Sequence, residues 1–341
     1  MASSSVSPPE RRRFPGWLPQ AILYCFSAAC LSWVLRGYPL RDLFTAIAAL
    51  DFRWVLLAVV FDLAVYICHG WRWNTLLAPV VRLGLWRTVQ SIYIGLFANE
   101  LLPLRTGEVI RCYLLAHWND FRISLSLSSA AVERLMDGVW MVIAFAVTAG
   151  LVKGIPGDLT LLARALAALL LVCTGVLLWV MRHKQDVHAA IAQSRWASTL
   201  RHVIEGLQLM GSLPTPSKTM LISLFYLALQ VATVWALMKA YGLDLSFWAA
   251  GGVLTVVRLG TMIPNAPGNV GLFQVACVVA LGLFDVEKND AKTFSFIMFF
   301  SLTLPLLLGG ALATALARLN LGDLRRRAAH SVRAAHHKAL P

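Results

Sequence analysis

Charge is scarce in this sequence. Only 14% of its 341 residues are Asp, Glu, Lys or Arg, where a soluble globular domain has about 25%. Acid is scarcer still, with 17 acidic residues against 30 basic and a net charge of +13. So few charges exclude an ordinary soluble domain. No CxxC spacing occurs among the six cysteines (Cys25, Cys30, Cys68, Cys112, Cys173 and Cys277). All lie in or beside apolar segments, so they read as small core hydrophobes rather than zinc ligands or disulfides. No nucleotide-binding or metal-binding motif is present, and neither a cofactor nor a metal is expected. The basic residues sit between apolar blocks and in the tails, where topology signals and anionic-lipid contacts belong. Nucleic acid is therefore not an expected partner.

What the chain has instead is hydrophobic sequence, 58% of the total. It falls in blocks of about 18–23 residues, the length that crosses roughly 30 Å of hydrocarbon as a helix. The blocks are Leu18–Leu35, Phe52–His69, Ala131–Leu151, Leu159–Met181, Thr219–Ala240 and Phe294–Ala313. Lipid cannot satisfy open backbone groups, so each predicts a helix. No small-residue cleavage site follows the first block, which reads as a retained span.

Two further apolar regions, 88–116 and 248–284, are broken midway by Pro and Gly. Pro103 and Gly107 interrupt the first; Pro264, Pro267, Gly268 and Gly271 interrupt the second. The pieces are short for a full crossing and predict re-entrant helical hairpins. With both tails on one side, the inside segments hold eighteen Lys/Arg and the outside segments six. The positive-inside rule then places both termini in the cytosol.

The fold class expected is an all-α polytopic membrane protein of about six transmembrane helices and two re-entrant hairpins. Its divisions are a disordered basic segment 1–17, a half-repeat 18–152, a second half 153–315 and a basic cytosolic tail 316–341. The second half includes a cytosolic amphipathic helix over 186–212, an interfacial connector. The halves read as an inverted repeat. Pro103 to Val109 aligns with Pro264 to Val270 at an offset of 161 residues, which also brings 131–152 onto 292–313. Inverted repeats with broken helices mark secondary transporters.

Ionisable residues inside spans are costly and mark function or pairing. Glu100, Arg105, Glu108, Arg111, Glu133, Arg134 and Asp137 lie in or beside apolar sequence. Glu133 and Asp137 share a helix face, and Arg134 is three residues from Asp137. Two readings stand side by side. In one, Glu108, Arg111, Glu133, Arg134 and Asp137 pair with one another and pin the first hairpin to the bundle. In the other, Arg105, Arg111 and Arg134 clamp an anionic headgroup, since guanidinium suits phosphate. Glu108, Glu133 and Asp137 then gate or relay protons, with Asn99 and, in the second hairpin, Arg258 as further substrate-binding candidates.

Asn99-Glu-Leu-Leu-Pro103-Leu-Arg105-Thr-Gly107-Glu108-Val-Ile-Arg111, followed by Glu133-Arg134 and Asp137, resembles the membrane domain of lysylphosphatidylglycerol synthase/flippase proteins. Pro264-Asn-Ala-Pro267-Gly268-Asn-Val-Gly271 resembles that family's second Pro-Gly motif, and the resemblance covers about residues 18–315. It implies a lipid transporter in a bacterial inner membrane, with relatives tied to aminoacylated phosphatidylglycerol, polyprenyl-linked sugars and hopanoid biosynthesis. The family motif has a glutamate where this chain has Gln274, which removes a carboxyl from that position. The fused aminoacyl-transferase domain is not seen, so lysyl-lipid synthesis is not expected. The expected partners are a membrane lipid substrate, anionic lipids at the basic tails and lipid-biosynthesis enzymes. A membrane-embedded headgroup transferase and a non-catalytic partner of a lipid-synthesis complex are the alternative functions.

Overall fold

The structure, a computed structural model, describes residues 18–102, 106–151, 214–262 and 267–319, with four isolated helical positions between 161 and 175. The segment 1–17, the block Leu159–Met181 (apart from those positions), the amphipathic helix expected over 186–212 and the tail beyond 319 lie outside the described residues.

Ten α-helices and no strand occur among the described residues. They are α1 (Leu18–Leu35), α2 (Leu40–Ala49), α3 (Phe52–Leu77), α4 (Leu85–Leu101), α5 (Gly107–Trp118), α6 (Ile123–Leu151), α7 (Pro214–Tyr241), α8 (Phe247–Thr261), α9 (Leu272–Gly282) and α10 (Lys288–Leu316). Three of these are long and apolar enough to cross a membrane by length and composition: α3, α7 from Ser217 and α10. Their outward faces confirm the solvent. Phe52, Leu56, Val60, Leu63, Ile67 and Trp71 line one exposed face of α3, and Phe300, Leu304, Leu308, Leu312 and Leu316 line one of α10. Spacings of three and four residues make each a continuous apolar stripe, larger than a water-soluble monomer tolerates. The chain is an all-α, multi-pass membrane protein.

Helix α2 falls in a segment expected to be a loop, α7 and α10 start before the expected Thr219 and Phe294, and two boundary differences, in α3 and α6, bear on the site. Helix α3 runs on to Leu77, past the expected end at His69. Arg72 and Trp73 read as loop residues at a membrane surface, yet both are fully buried. The inside total of basic residues falls by one, Arg72, and the charge bias stands. Helix α6 starts at Ile123, not Ala131. Its first turns carry four serines, and Ser128 and Ser129 donate to the carbonyls of Ser124 and Ser126 at 2.8 and 2.7 Å. Bonding back into its own helix lets a hydroxyl sit in a buried turn.

Both interrupted regions are helix–break–helix pairs. Helices α4 and α5 pack antiparallel around Ile94, Ala98, Ile110 and Leu114. Helices α8 and α9 pack around Val253, Val257, Ala276, Cys277 and Ala280. The limbs have 17 and 12, and 15 and 11, residues. At 1.5 Å per residue these are about 17–26 Å long, short of the hydrocarbon thickness.

The halves pack by a rule of exchange. Helix α3 lies antiparallel to α7: Asp51 N–H donates to Ala240 O at 3.1 Å near one end, and Cys68 S–H to Ile222 O at 3.8 Å near the other. Helix α4 packs on α10, the last described helix of the second half, while α8 packs on α6 of the first. Swapping the halves maps each pairing onto the other.

The motif alignment itself needs correction. Gly107–Val109 open α5, whereas Pro267–Asn269 form a 3-10 turn and α9 waits until Leu272. The cause is local: Gly268, Asn269 and Gly271 hold φ of 71°, 54° and 85°, a left-handed region that cannot start a helix. Across each break a glycine of the first limb meets a Cβ sixteen residues on, Gly95 against Arg111 and Gly260 against Ala276, and these two encounters lie 165 residues apart.

The crossing of α4 and α5 depends on bare backbone. A Cβ on Gly107 would collide with the Gly95 carbonyl and approach Asn99 Oδ1 within 2.6 Å. Gly107→Ala is expected to destabilise by about 1–3 kcal/mol, as overpacking does. Gly84→Ala, which meets nothing within 4 Å, serves as the control. Thermal unfolding of the purified protein in detergent separates them; equal melting points would contradict the close crossing.

Candidate functional site

Seven ionisable side chains converge where α3, α5, α6 and α7 meet. Helical spacing places them. His69 and Arg72 lie three apart on the inward stripe of α3 that includes Ala58, Asp62, Val65 and Leu76. Glu108 and Arg111 are three apart on α5; on α6, Glu133 and Asp137 are four apart, and Arg134 is three from Asp137.

Glu133 is the centre, with its side chain fully buried. Its Oε1 lies 3.3 Å from Arg72 Nε and 3.4 Å from His69 Nε2, and its Oε2 lies 3.2 Å from Arg111 Nη1. Arg72 forks onto Asp137, with Nη1 on Oδ1 and Nη2 3.4 Å from Oδ2. It also donates to Ser223 Oγ at 3.5 Å and lies over the Tyr226 ring at 4.6 Å. Arg111 donates from Nε to Glu108 Oε2 at 2.9 Å and from Nη1 to His69 Nε2 at 3.2 Å. The Trp73 ring covers its guanidinium at 4.6 Å, and Trp73 Nε1–H donates to Ser129 Oγ at 2.8 Å. Cation–π contact suits a guanidinium withdrawn from water.

The count balances: three guanidinium groups face three carboxylates. In hydrocarbon an unpaired charge costs several kcal/mol, so neutrality is the condition for burying this cluster. Arg72 and Arg111 are shut inside, at 0% and 1% exposure. Arg134 is different. Its side chain is 53% exposed, held by Glu108 Oε1 at 3.2 Å and Asp137 Oδ2 at 3.6 Å. It forms the exposed edge of the cluster. Among the described residues no group of three His, Cys, Asp or Glu side chains could hold a metal ion.

The other expected site residues are placed as follows. Asn99 Oδ1 accepts the Gly107 N–H at 2.8 Å, closing the first hairpin tip and opening α5. Arg258 is half-buried on α8 and takes no part in the cluster's ion pairs. Gln274, in place of the family glutamate, accepts the Gly271 N–H at 2.7 Å and caps α9. Pro103, Arg105 and Pro264 lie outside the described residues. The hairpin tips meet: a Cβ on Gly268 would lie 3.1 Å from Glu100 Oε2.

Arg72, Trp73, Ser223 and Tyr226 were missed in the sequence. Periodicity carried the signal for Arg72, which continues the inward stripe of α3 three residues beyond His69. Among the described residues of the second half no such cluster occurs. Ala276 takes the packing position of Arg111, and Cys277, Phe294 and Met298 fill an apolar core beside it.

Comparison with known proteins gives two matches. The model of the family described as lysylphosphatidylglycerol synthase TM region matches residues 20–323. A UPF0104 membrane protein from Methanothermobacter thermautotrophicus is 22% identical over 289 residues, covering 76% of this chain and 79% of its own length.

Removing one partner of a buried pair costs about 3–5 kcal/mol, because the other is left uncompensated. Arg72→Met is expected to cost that much. Adding Asp137→Leu is expected to recover part of the loss, since both charges then leave together. Unfolding midpoints for the two single variants and the double variant test the coupling; additive losses would contradict it.

Proposed function

Because the chain belongs to the lysylphosphatidylglycerol synthase transmembrane family, we propose that it is a flippase-like lipid transporter. It moves an amphiphilic lipid, anionic or of the isoprenoid or hopanoid class, between leaflets. The observation that carries this reading is the exchange of hairpins between halves that lie antiparallel. An axis relating antiparallel spans runs across them, which makes the halves inverted in the membrane. Two broken hairpins whose tips meet at Glu100 and Gly268 put irregular, polar backbone between the leaflets. Such backbone is tolerated only where protein or a polar path surrounds it.

The headgroup passes the hairpin tips while the acyl or isoprenoid tails stay in lipid. Arg134, at the open edge of the ion cluster, receives the anionic part of the headgroup. Glu108 and Asp137 hold that guanidinium between substrates. The setting is a bacterial inner membrane with both termini in the cytosol. The basic tails lie on anionic lipid, and enzymes of lipid synthesis supply the cargo.

Leaflet distribution of lipids in cells carrying wild type or Arg134→Ala, at matched protein levels, tests the proposal. One lipid class is expected to accumulate on the cytosolic side in the variant. Unchanged distribution with loss of a modified lipid from the total extract would replace transport by headgroup transfer.

A further inference from the structure

Away from the ion cluster, the two central helices hold a second polar pair that nothing above uses. Asp62 on α3 and Gln230 on α7 are each 6% exposed. Asp62 Oδ2 and both amide atoms of Gln230 have no hydrogen-bond partner among the described residues. The antiparallel register sets them level. Trp54 meets Trp235 on one side of that level, and His69 meets Tyr226 on the other. Asp62 is the eleventh residue of α3, about 15 Å along the helix from its start, and so deep in the span.

Its surroundings supply no counter-charge. On its own helix the nearest ionisable neighbour is Tyr66, whose ring packs on Tyr93 of α4 at 4.7 Å. From α7 the only ionisable group at mid-helix is Tyr226, because Lys218 and Lys239 lie at the two ends. The charged residues of α10, Lys288, Asp290 and Lys292, are confined to its first turns. From α4, Tyr93 and Glu100 face this side. Arg72, the one guanidinium on α3 beyond the first turn, is taken by Glu133 and Asp137. A carboxylate at this depth with no cation beside it is among the costliest groups a span can carry. A carboxylic acid is far cheaper, and it can use the amide oxygen or nitrogen of Gln230.

We propose that Asp62 and Gln230 form a proton-binding site between α3 and α7, with Asp62 carrying the proton. The carboxylate takes a proton from hydronium on the side to which the site opens, leaving water, and gives it to a water molecule on the other side, which leaves as hydronium. Tyr93 links this level to hairpin movement, since it packs at once on Tyr66 and, at 2.6 Å from a Cβ built on Gly309, on α10. Proton coupling of lipid movement rests on the transport reading; proton occupancy of Asp62 does not.

Infrared difference spectra of the purified wild type and Asp62→Asn, in detergent at neutral pH, read the site directly. The expected result is a carbonyl stretch of a weakly hydrogen-bonded carboxylic acid, lost in the variant. The same band in wild type grown with carboxyl-13C aspartate is expected to shift, which needs no substitution to fold. An unshifted band, or none, would overturn the site. In vesicles, a pH gradient is expected to accelerate lipid movement by wild type and to lose that effect with Asp62→Asn. Persistence of the effect would overturn the coupling. Absence of any lipid movement by wild type would instead remove the transport reading and leave the infrared test standing.

Discussion

Everything in the first half hangs on the burial of Glu133. One carboxylate, fully withdrawn from water, must be met by cations from two other helices, Arg72 on α3 and Arg111 on α5. Arg72 in turn requires Asp137, and Arg111 requires Glu108. The chain of requirements fixes how α3, α5 and α6 sit, and through Ser223 and Tyr226 it reaches α7. An apolar cluster of the same volume could be as stable. What ions add is discrimination: any sliding of α5 along α6 leaves a charge unpaired in hydrocarbon. Among the described residues of the second half, Ala276 and Phe294 lie in an apolar core that carries no such penalty. The described contact of α5 with α6 is therefore latched by charge and that of α8 with α9 is held by apolar packing.

The two helix pairs thus differ in what holds them. An ion cluster is sensitive to a competing anion, while an apolar contact is not. Arg134 is shared between Glu108 and Asp137 at the exposed edge of the latch. The same logic separates the roles of the buried arginines. Arg111 and Arg72 are buried and ion-paired within the cluster, and they hold the frame.

Much of the fold was legible because the membrane imposes a length and a polarity on each segment. Where re-entrant hairpins were expected, over 88–116 and 248–284, the structure has interrupted helix pairs, Leu85–Leu101 with Gly107–Trp118 and Phe247–Thr261 with Leu272–Gly282, since Pro and Gly punctuate apolar sequence there. The pairing among Glu108, Arg111, Glu133, Arg134 and Asp137 was legible from helical spacing. Arg72 was not, because a charge after an apolar block looks like the end of a span. Only the carboxylates of α6, over 60 residues further on, make it an interior residue. Likewise the left-handed run at Gly268–Gly271 delays α9, so a sequence alignment on glycine and proline mismatched turn with helix. Pairings between distant segments and backbone handedness are tertiary facts, and a single sequence carries them weakly.

The most direct test of the account is lipid movement by the purified protein in vesicles bearing a fluorescent anionic lipid. A cysteine pair at Glu100 and Gly268, in a background free of other cysteines, can tie the hairpin tips. The account predicts that the inner-leaflet lipid becomes accessible to an external quencher with the thiols reduced and stays protected when they are cross-linked. Protection that is unchanged by the protein in both states, or movement indifferent to the cross-link, would contradict passage of the headgroup between the hairpins.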